Sequence, residues 1–184
     1  MGFVIIQMII IDEKKIFDII ETKKPVSVAL NGPDGILPKV QDLALKINQK
    51  YGIPAYLLAD STWGSCDLNS VGANVLQAEI LFNIGHTNKL EIFEKNIYMI
   101  DAYDDIPFDN VVEKCVKQFK GNTVSLLTDS QYLHQIDHIA KTLENNGVVV
   151  KIGNGKGQLN DGQVFGCEFY PATEIKNDVD ANIF

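Results

Sequence analysis

Apolar and polar positions along this chain alternate between two periods, one helical and one extended. Ile16, Phe17, Ile19 and Ile20 recur at helical spacing among lysines and acids, which predicts a short amphipathic helix over residues 12–22. Lys23-Lys24-Pro25 ends it. Residues 26–30 read as a strand, and Asn31-Gly32-Pro33-Asp34-Gly35 as a turn dense in residues that set turn dihedrals. Residues 36–50 read as a helix, with Leu37, Val40, Leu43, Leu45 and Ile47 on one broad face. Residues 53–59 are nearly all apolar, as expected of a strand covered on both faces. A helix through Val71, Val75 and Leu76 follows, then strands over 79–84 and 96–100 and a connector to about residue 108.

The second half repeats this plan. A helix is predicted over 111–119, a strand over 122–127, and a helix over 131–145 that starts after the cap signal Thr128-Asp129-Ser130 and closes at Gly147. A strand over 148–152, a long glycine-bearing loop with a short helical turn, and the opening of another strand at 180–184 complete the chain. Strands alternating with helices indicate the α/β class, here two similar small domains with mainly parallel sheets flanked by helices. The expected division is 1–104, carrying Cys66, and 105–184, carrying Cys167. About 40 residues run from Val26 to Cys66 and about 43 from Val124 to Cys167, as two copies of one domain would place them.

Composition narrows the class further. With 46% hydrophobic and 22% charged residues the chain has material for packed cores. A net charge of -8 argues against a free-standing nucleic-acid binder, which needs a basic face. The apolar stretch Phe3–Ile11 has roughly half the length that spans a bilayer and lacks the flanks of a signal peptide. It reads as an early strand or a packed N-terminal segment. Three widely spaced cysteines fit a reducing cytosol better than a secreted disulfide scaffold.

The candidate chemistry gathers at predicted strand ends, where open α/β sheets collect their ligands. Cys66 and Cys167 lie in loops beside small residues, whereas Cys115 falls mid-helix and reads as core filling. The close Cys or His pairs of a structural zinc site are missing. A catalytic thiol partnered by His86, His134 or His138 is one possibility; iron–sulfur ligands contributed singly by separate domains also satisfy the pattern. His86 follows a strand end and is either a turn histidine or a site-lining one. Asp34 and Asp60 are either turn caps or site residues. His134 and His138 read as surface or helix-packing residues. Trp63 either shields a site or packs in the core. The run Gly153-Asn154-Gly155-Lys156-Gly157 lacks the spacing of a phosphate loop and reads as flexible chain that lets Cys167 reach inward.

Several of these elements resemble one family. Pro33-Asp34-Gly35, Thr62-Trp63-Gly64-Ser65-Cys66-Asp67, Gly85-His86-Thr87, Gln131 to Gln135 and Gly162-Gln163-Val164-Phe165-Gly166-Cys167 are similar to the archaeal diphthamide synthase radical enzymes, the 2-(3-amino-3-carboxypropyl)histidine synthases. The chain departs mildly from the family with Trp63 and Ser65 in its first cysteine element and Asp34 in place of the usual glutamate. The resemblance implies a homodimer of three similar α/β domains arranged with pseudo-threefold symmetry, each supplying one cysteine to a 4Fe–4S cluster. It also implies cleavage of S-adenosylmethionine by an electron from an external donor. The 3-amino-3-carboxypropyl radical so formed is passed to a histidine of translation elongation factor 2. Carried over, Cys66 and Cys167 are two metal ligands, and Asp34, Asp60 and His86 are the cofactor-side candidates. The third cysteine is expected beyond this sequence, so the chain is expected to be the first two domains and inactive alone. A quinolinate-synthase-like iron–sulfur dehydratase and a non-catalytic partner subunit remain as competing readings; the Gly162–Cys167 element favours the transferase over the first.

Overall fold

The computed structural model describes residues 9–64, 66–85, 96–157 and 159–184. These fall into two compact units, Ile9–Ala102 and Tyr103–Phe184.

In the first unit the short strand β1 (Ile9–Ile11) leads into α1 (Glu13–Lys23). Asp12 caps this helix, its side chain accepting the Lys15 N–H at 3.1 Å. Ile16 and Ile20, one turn apart, are buried. Helix α2 (Leu37–Tyr51) carries a proline in its first turn and stops at Gly52, whose φ of 68° lets its N–H return to the Asn48 carbonyl at 2.9 Å. Val40, Leu43, Ala44 and Ile47 form its buried stripe, while Leu45 is 53% exposed, so the apolar face is narrower than the sequence pattern suggests. The strands are β2 (Val28–Asn31), β3 (Ala55–Leu57), β4 (Ile80–Ile84) and β5 (Ile97–Ile100), with the short helix α3 (Ser70–Val75) between β3 and β4. They form one parallel sheet in the order β3-β2-β4-β5. The two central strands are buried throughout, and Phe82 on β4 is the largest fully buried side chain of the core. The expectation for residues 53–59 needs correction: β3 is three residues long, half-buried, and at the sheet edge. An apolar run alone does not distinguish a central strand from an edge strand.

Strand β6 (Ala102–Asp104) follows within the predicted connector. The second unit then has α4 (Asp109–Cys115), β7 (Thr123–Leu126), α5 (Ile136–Asn145), β8 (Val149–Lys151), α6 (Tyr170–Glu174) and β9 (Ala181–Ile183). Its sheet is parallel in the order β8-β7-β9. Its own core gathers Val116, Val124, Leu126, Ile136, Ala140, Leu143 and Val148. Helix α5 starts five residues later than predicted. The segment before it is held by other partners: Gln131 N–H donates to the Asp129 carboxylate at 2.9 Å, Gln131 O accepts the Asp104 N–H at 3.2 Å, and the Gln135 amide donates to the carbonyls of Asp104 and Ile106. Such long-range bonds override local helix preference.

The predicted duplication is present in the topology. Each unit runs strand, helix, edge strand, cysteine loop, short helix, strand, and places the last strand on the opposite side of the first: β3-β2-β4 in one, β8-β7-β9 in the other.

Candidate functional site

Because both sheets are parallel, the loops after their strands emerge from one edge in each unit. In the first unit, the β2 loop begins at Gly32, where an added Cβ would lie 3.3 Å from the Ile84 carbonyl; the backbone approach leaves room for little else. Asp34 opens a short 3-10 turn (Asp34–Ile36) and is exposed. The Ser61 hydroxyl, on the loop after β3, donates to its carboxylate at 3.3 Å. Asp60 is also exposed, and its carboxylate accepts from the Asn69 amide at 3.0 Å. The cysteine sits in a closed turn: Trp63 N–H donates to the Asp67 carboxylate at 3.2 Å and Asp67 N–H to the Gly64 carbonyl at 3.0 Å. Cys66 is exposed within that turn, and Thr62 at its base is buried. Trp63 is 90% exposed, which overturns core packing as its role. His86 lies outside the described residues.

Beneath this edge two polar residues went unnoticed in the sequence. Asn31 and Asn83 are register partners on the central strands and are almost wholly buried. Asn31 donates to the Asn83 side-chain oxygen at 2.9 Å, and the Asn83 amide donates to Met99 Sδ at 3.2 Å. Asn31 Oδ1 has no hydrogen-bond partner. Their signal was present: each is a polar residue within or at the end of an otherwise apolar strand, Val28-Ala29-Leu30-Asn31 and Ile80-Leu81-Phe82-Asn83-Ile84.

In the second unit the loop after β8 carries Cys167. It is lashed to the end of β7, Thr128 N–H donating to the Gly162 carbonyl at 3.0 Å and Val164 N–H to the Thr128 carbonyl at 2.9 Å. The glycine-rich start of this loop differs from the expected flexible chain. Gly162 N–H donates to the Gly153 carbonyl at 2.9 Å, Gly155 N–H to the Asp161 carboxylate at 2.7 Å, and Asn154 makes two bonds to Glu174. A Cβ on Gly153 would collide with the Pro171 carbonyl and one on Gly155 with the Leu159 carbonyl. These glycines serve close backbone approach. Phe165 and Glu168 then exchange two backbone hydrogen bonds, at 3.1 and 2.6 Å, closing a turn with Cys167 exposed in it. Gln163 at its base is fully buried, and its oxygen accepts both the Asn160 N–H at 3.2 Å and the Asn160 amide at 2.9 Å.

Cys115 is the last residue of α4 and half-buried, so it terminates the helix instead of filling a core from its middle. His134 lies 3.6 Å from Asp105, and His138 lies 2.7 Å from Asp109, whose carboxyl the hydrogen bond from His138 holds below its usual range. An apolar cavity of about 370 Å³ opens at the carboxyl ends of β7 and β9, lined by Leu126, Tyr132, Ile136, Ile139 and Ile183 among others. Burial there, followed by the charges of Asp104 and Asp129, pushes the Tyr132 phenol up.

Among the described residues no three His, Cys, Asp or Glu side chains converge to hold a metal ion. Each unit offers a single exposed thiol on an equivalent loop. Thiolates are the ligands that iron–sulfur clusters take, and one donor per unit suits a group held jointly with further ligands. The turns also keep orphaned polar atoms at their bases, Thr62 Oγ1 and Gln163 Nε2. The donor chemistry therefore fits such a cluster, with an incomplete ligand set. No helix among the described residues is long and apolar enough to cross a membrane.

Comparison with known proteins accounts for this duplicated, cysteine-bearing fold. The chain is 23% identical over 145 residues to the 2-(3-amino-3-carboxypropyl)histidine synthase of Pyrococcus horikoshii, covering 77% of this chain and 42% of that protein. It is 26% identical over 174 residues to subunit 1 of the same synthase from Schizosaccharomyces pombe, covering 90% of this chain and 39% of the relative. Subunit 2 from Xenopus laevis matches at 23% over 134 residues, 72% of this chain and 28% of the relative. The chain thus spans less than half the length of these curated relatives. The crystal structure of Dph2 from Pyrococcus horikoshii with a 4Fe–4S cluster superposes with a TM-score of 0.78 at 22% identity, over 89% of this chain and 49% of that one, and has the same fold. The family described as "Putative diphthamide synthesis protein" matches residues 32–184, and the chain belongs to that family.

Proposed function

We propose that this chain forms part of a 2-(3-amino-3-carboxypropyl)histidine synthase. It would help transfer the 3-amino-3-carboxypropyl group of S-adenosylmethionine to a histidine of translation elongation factor 2 in the cytoplasm. The observation that carries the reading is the repeated placement of one exposed cysteine: Cys66 after edge strand β3 and Cys167 after edge strand β8. These two thiolates would hold a 4Fe–4S cluster, with the third supplied from outside these 184 residues by a third similar domain. Cys115, at the end of a helix, is not part of the set. When bound, the cluster supplies the electron, drawn from a separate donor protein, that cleaves S-adenosylmethionine.

The chain's own residues hold and orient. Asp34 and Asp60 keep their carboxylates at the same sheet edge as Cys66, fixed by Ser61 and Asn69, and suit the ammonium group of the methionine moiety. His86, next in sequence after Gly85, is the third cofactor-side candidate that the family resemblance implies. Trp63, exposed beside Cys66, covers the site from water once it is filled. Relatives named as subunits 1 and 2 support assembly with a second copy or a sister subunit.

The test is anaerobic reconstitution followed by iron and sulfide analysis and electron paramagnetic resonance, on this chain and on the full-length protein. A 4Fe–4S signal in the full-length protein should be lost in Cys66→Ala and in Cys167→Ala and kept in Cys115→Ala. S-adenosylmethionine should perturb it. A cluster indifferent to S-adenosylmethionine would favour the dehydratase reading, and absence of iron would leave a non-catalytic partner.

A further inference from the structure

Three residues of the first sheet form a polar seam straight across it. Asn31 on β2, Asn83 on β4 and Met99 on β5 are register partners on neighbouring strands. Asn31 donates to the Asn83 side-chain oxygen at 2.9 Å, and the Asn83 amide donates to Met99 Sδ at 3.2 Å. Asn31 is 0% and Asn83 1% exposed. The equivalent strands of the second unit carry a bond of the same kind. Ser125 on β7 and Asn182 on β9 are register partners, Ser125 is fully buried, and its hydroxyl donates to the Asn182 side-chain oxygen at 2.6 Å.

These bonds sit where the strands lack another guide. Alternation of apolar and polar residues sets register where one face of a sheet is wet. Strands β2 and β4 are buried throughout, and Val28, Ala29 and Leu30 face Ile80, Leu81 and Phe82, so a slip exchanges one apolar contact for another. A slip also takes Asn31 away from Asn83 and leaves its buried amide unmet, which is costly. Fixing register is the best-attested use of a buried polar pair. The loops beyond depend on that register. A Cβ on Gly32 would lie 3.3 Å from the Ile84 carbonyl, and one on Gly85, at φ 84°, would lie 3.4 Å from Pro33 Cδ. Moved by one residue, either close approach would meet a side chain.

We infer that Asn31 and Asn83, and in the second unit Ser125 and Asn182, are register locks: positioning residues that set where the loops after β2, β4 and β7 leave their sheets. Asp34 stands on the first of these loops, and the Cys167 loop is bonded to the end of β7 at Thr128. The service of these loops to a site for S-adenosylmethionine rests on the function proposed above.

The second unit supplies a test for the first, because it shows that serine makes this bond. Asn31→Ala and Asn31→Ser are nearly equal in volume and differ in one hydroxyl donor. Amide magnetic resonance spectra of the chain should show one set of peaks for β2, β4, Gly32 and Gly85 in the unsubstituted protein and in Asn31→Ser. Asn31→Ala should double or broaden those peaks. Ser125→Ala, which loses a single oxygen, should do the same at β7, β9 and Leu127, and it decides the matter where Asn31→Ala fails to fold. One sharp set of peaks in the folded alanine variants would overturn the inference. In the reconstituted full-length protein, apparent affinity is divided by the fraction of molecules that can bind. The dissociation constant of Asn31→Ala for S-adenosylmethionine should therefore rise by the inverse of its in-register fraction, read from peak volumes, and return in Asn31→Ser. An unchanged constant beside doubled peaks would overturn the positioning of the site. Absence of binding by the unsubstituted protein would overturn the proposed function and not the locks, which the amide spectra decide.

Discussion

Gly162 shows how much one residue decides at the Cys167 loop. Its φ of 70° lies in the left-handed region, and a Cβ there would stand 2.5 Å from Ile136 Cδ1 and 2.9 Å from Ile152 Cγ2. Gly162→Ala therefore adds left-handed strain of about 1–2 kcal/mol to overpacking of about 1–3 kcal/mol. A loss of about 2–5 kcal/mol is expected in urea unfolding, and a loss under about 0.5 kcal/mol would show that the loop is not seated on α5. This glycine stands in the Gly162–Cys167 element that the sequence singles out, but its reason does not appear there: Ile136 and Ile152 are distant in sequence. The cysteines themselves were legible as loop residues at strand ends. Trp63 was ambiguous, since an aromatic near a candidate cysteine reads equally as the shield of a site or as core packing until its neighbours are known. Asn31 and Asn83 were legible in principle: Asn31 ends an apolar run and reads as the start of a turn, and Asn83 lies within a predicted strand where its burial on both faces does not show.

At the scale of elements, what the sequence made legible is what local spacing controls. The order of strands and helices, the α2 stripe apart from Leu45, and the Gly147 stop all follow from residues within a turn or two of each other. The edge position of β3 and the late start of α5 depend on contacts with residues far along the chain, which spacing cannot register. The α4–α5 contact is of that second kind. Asp109, in the first turn of α4, meets His138 on α5 at 2.7 Å, and the hydrogen bond lowers the Asp109 pKa below the ordinary 3.8. A carboxyl depressed in the folded state stabilises the fold above its unfolded pKa and ceases to do so as pH falls through the folded value. The gap in thermal midpoint between the unsubstituted chain and Asp109→Asn should hold at pH 5 and close as pH drops below 3.8. Both groups are solvent-exposed, so added salt should narrow the gap. A gap that is the same at pH 5 and well below 3.8 would assign the effect to helix capping instead.

Over the whole molecule, the duplicated topology implies that the two candidate ligands rest on separate cores. The first unit packs Ile16, Leu30, Val40, Leu43, Ile47, Ile84 and Ile100 with Phe82, and the second packs Val124, Leu126, Ile136 and Leu143; the two clusters share no residue. Phe82 is 0% exposed at the middle of β4, so Phe82→Ala leaves a cavity that neighbouring strands cannot close without shifting the sheet. Such a substitution costs about 3–5 kcal/mol. Hydrogen exchange should then speed up at the amides of β2 and β4, whose ladders join Val28–Asn31 to Ile80–Asn83, while β7 amides keep their protection. The thiol of Cys66 hangs from the end of β3, which pairs with β2, and Cys167 hangs from the end of β8, which pairs with β7. A variant weakened in one core should thus lose order at one ligand and retain it at the other. Measured alkylation of the two thiols under mild denaturant should separate in Phe82→Ala and coincide more closely in the unsubstituted chain. Equal loss of protection in β7 would mean that the two units unfold as one body.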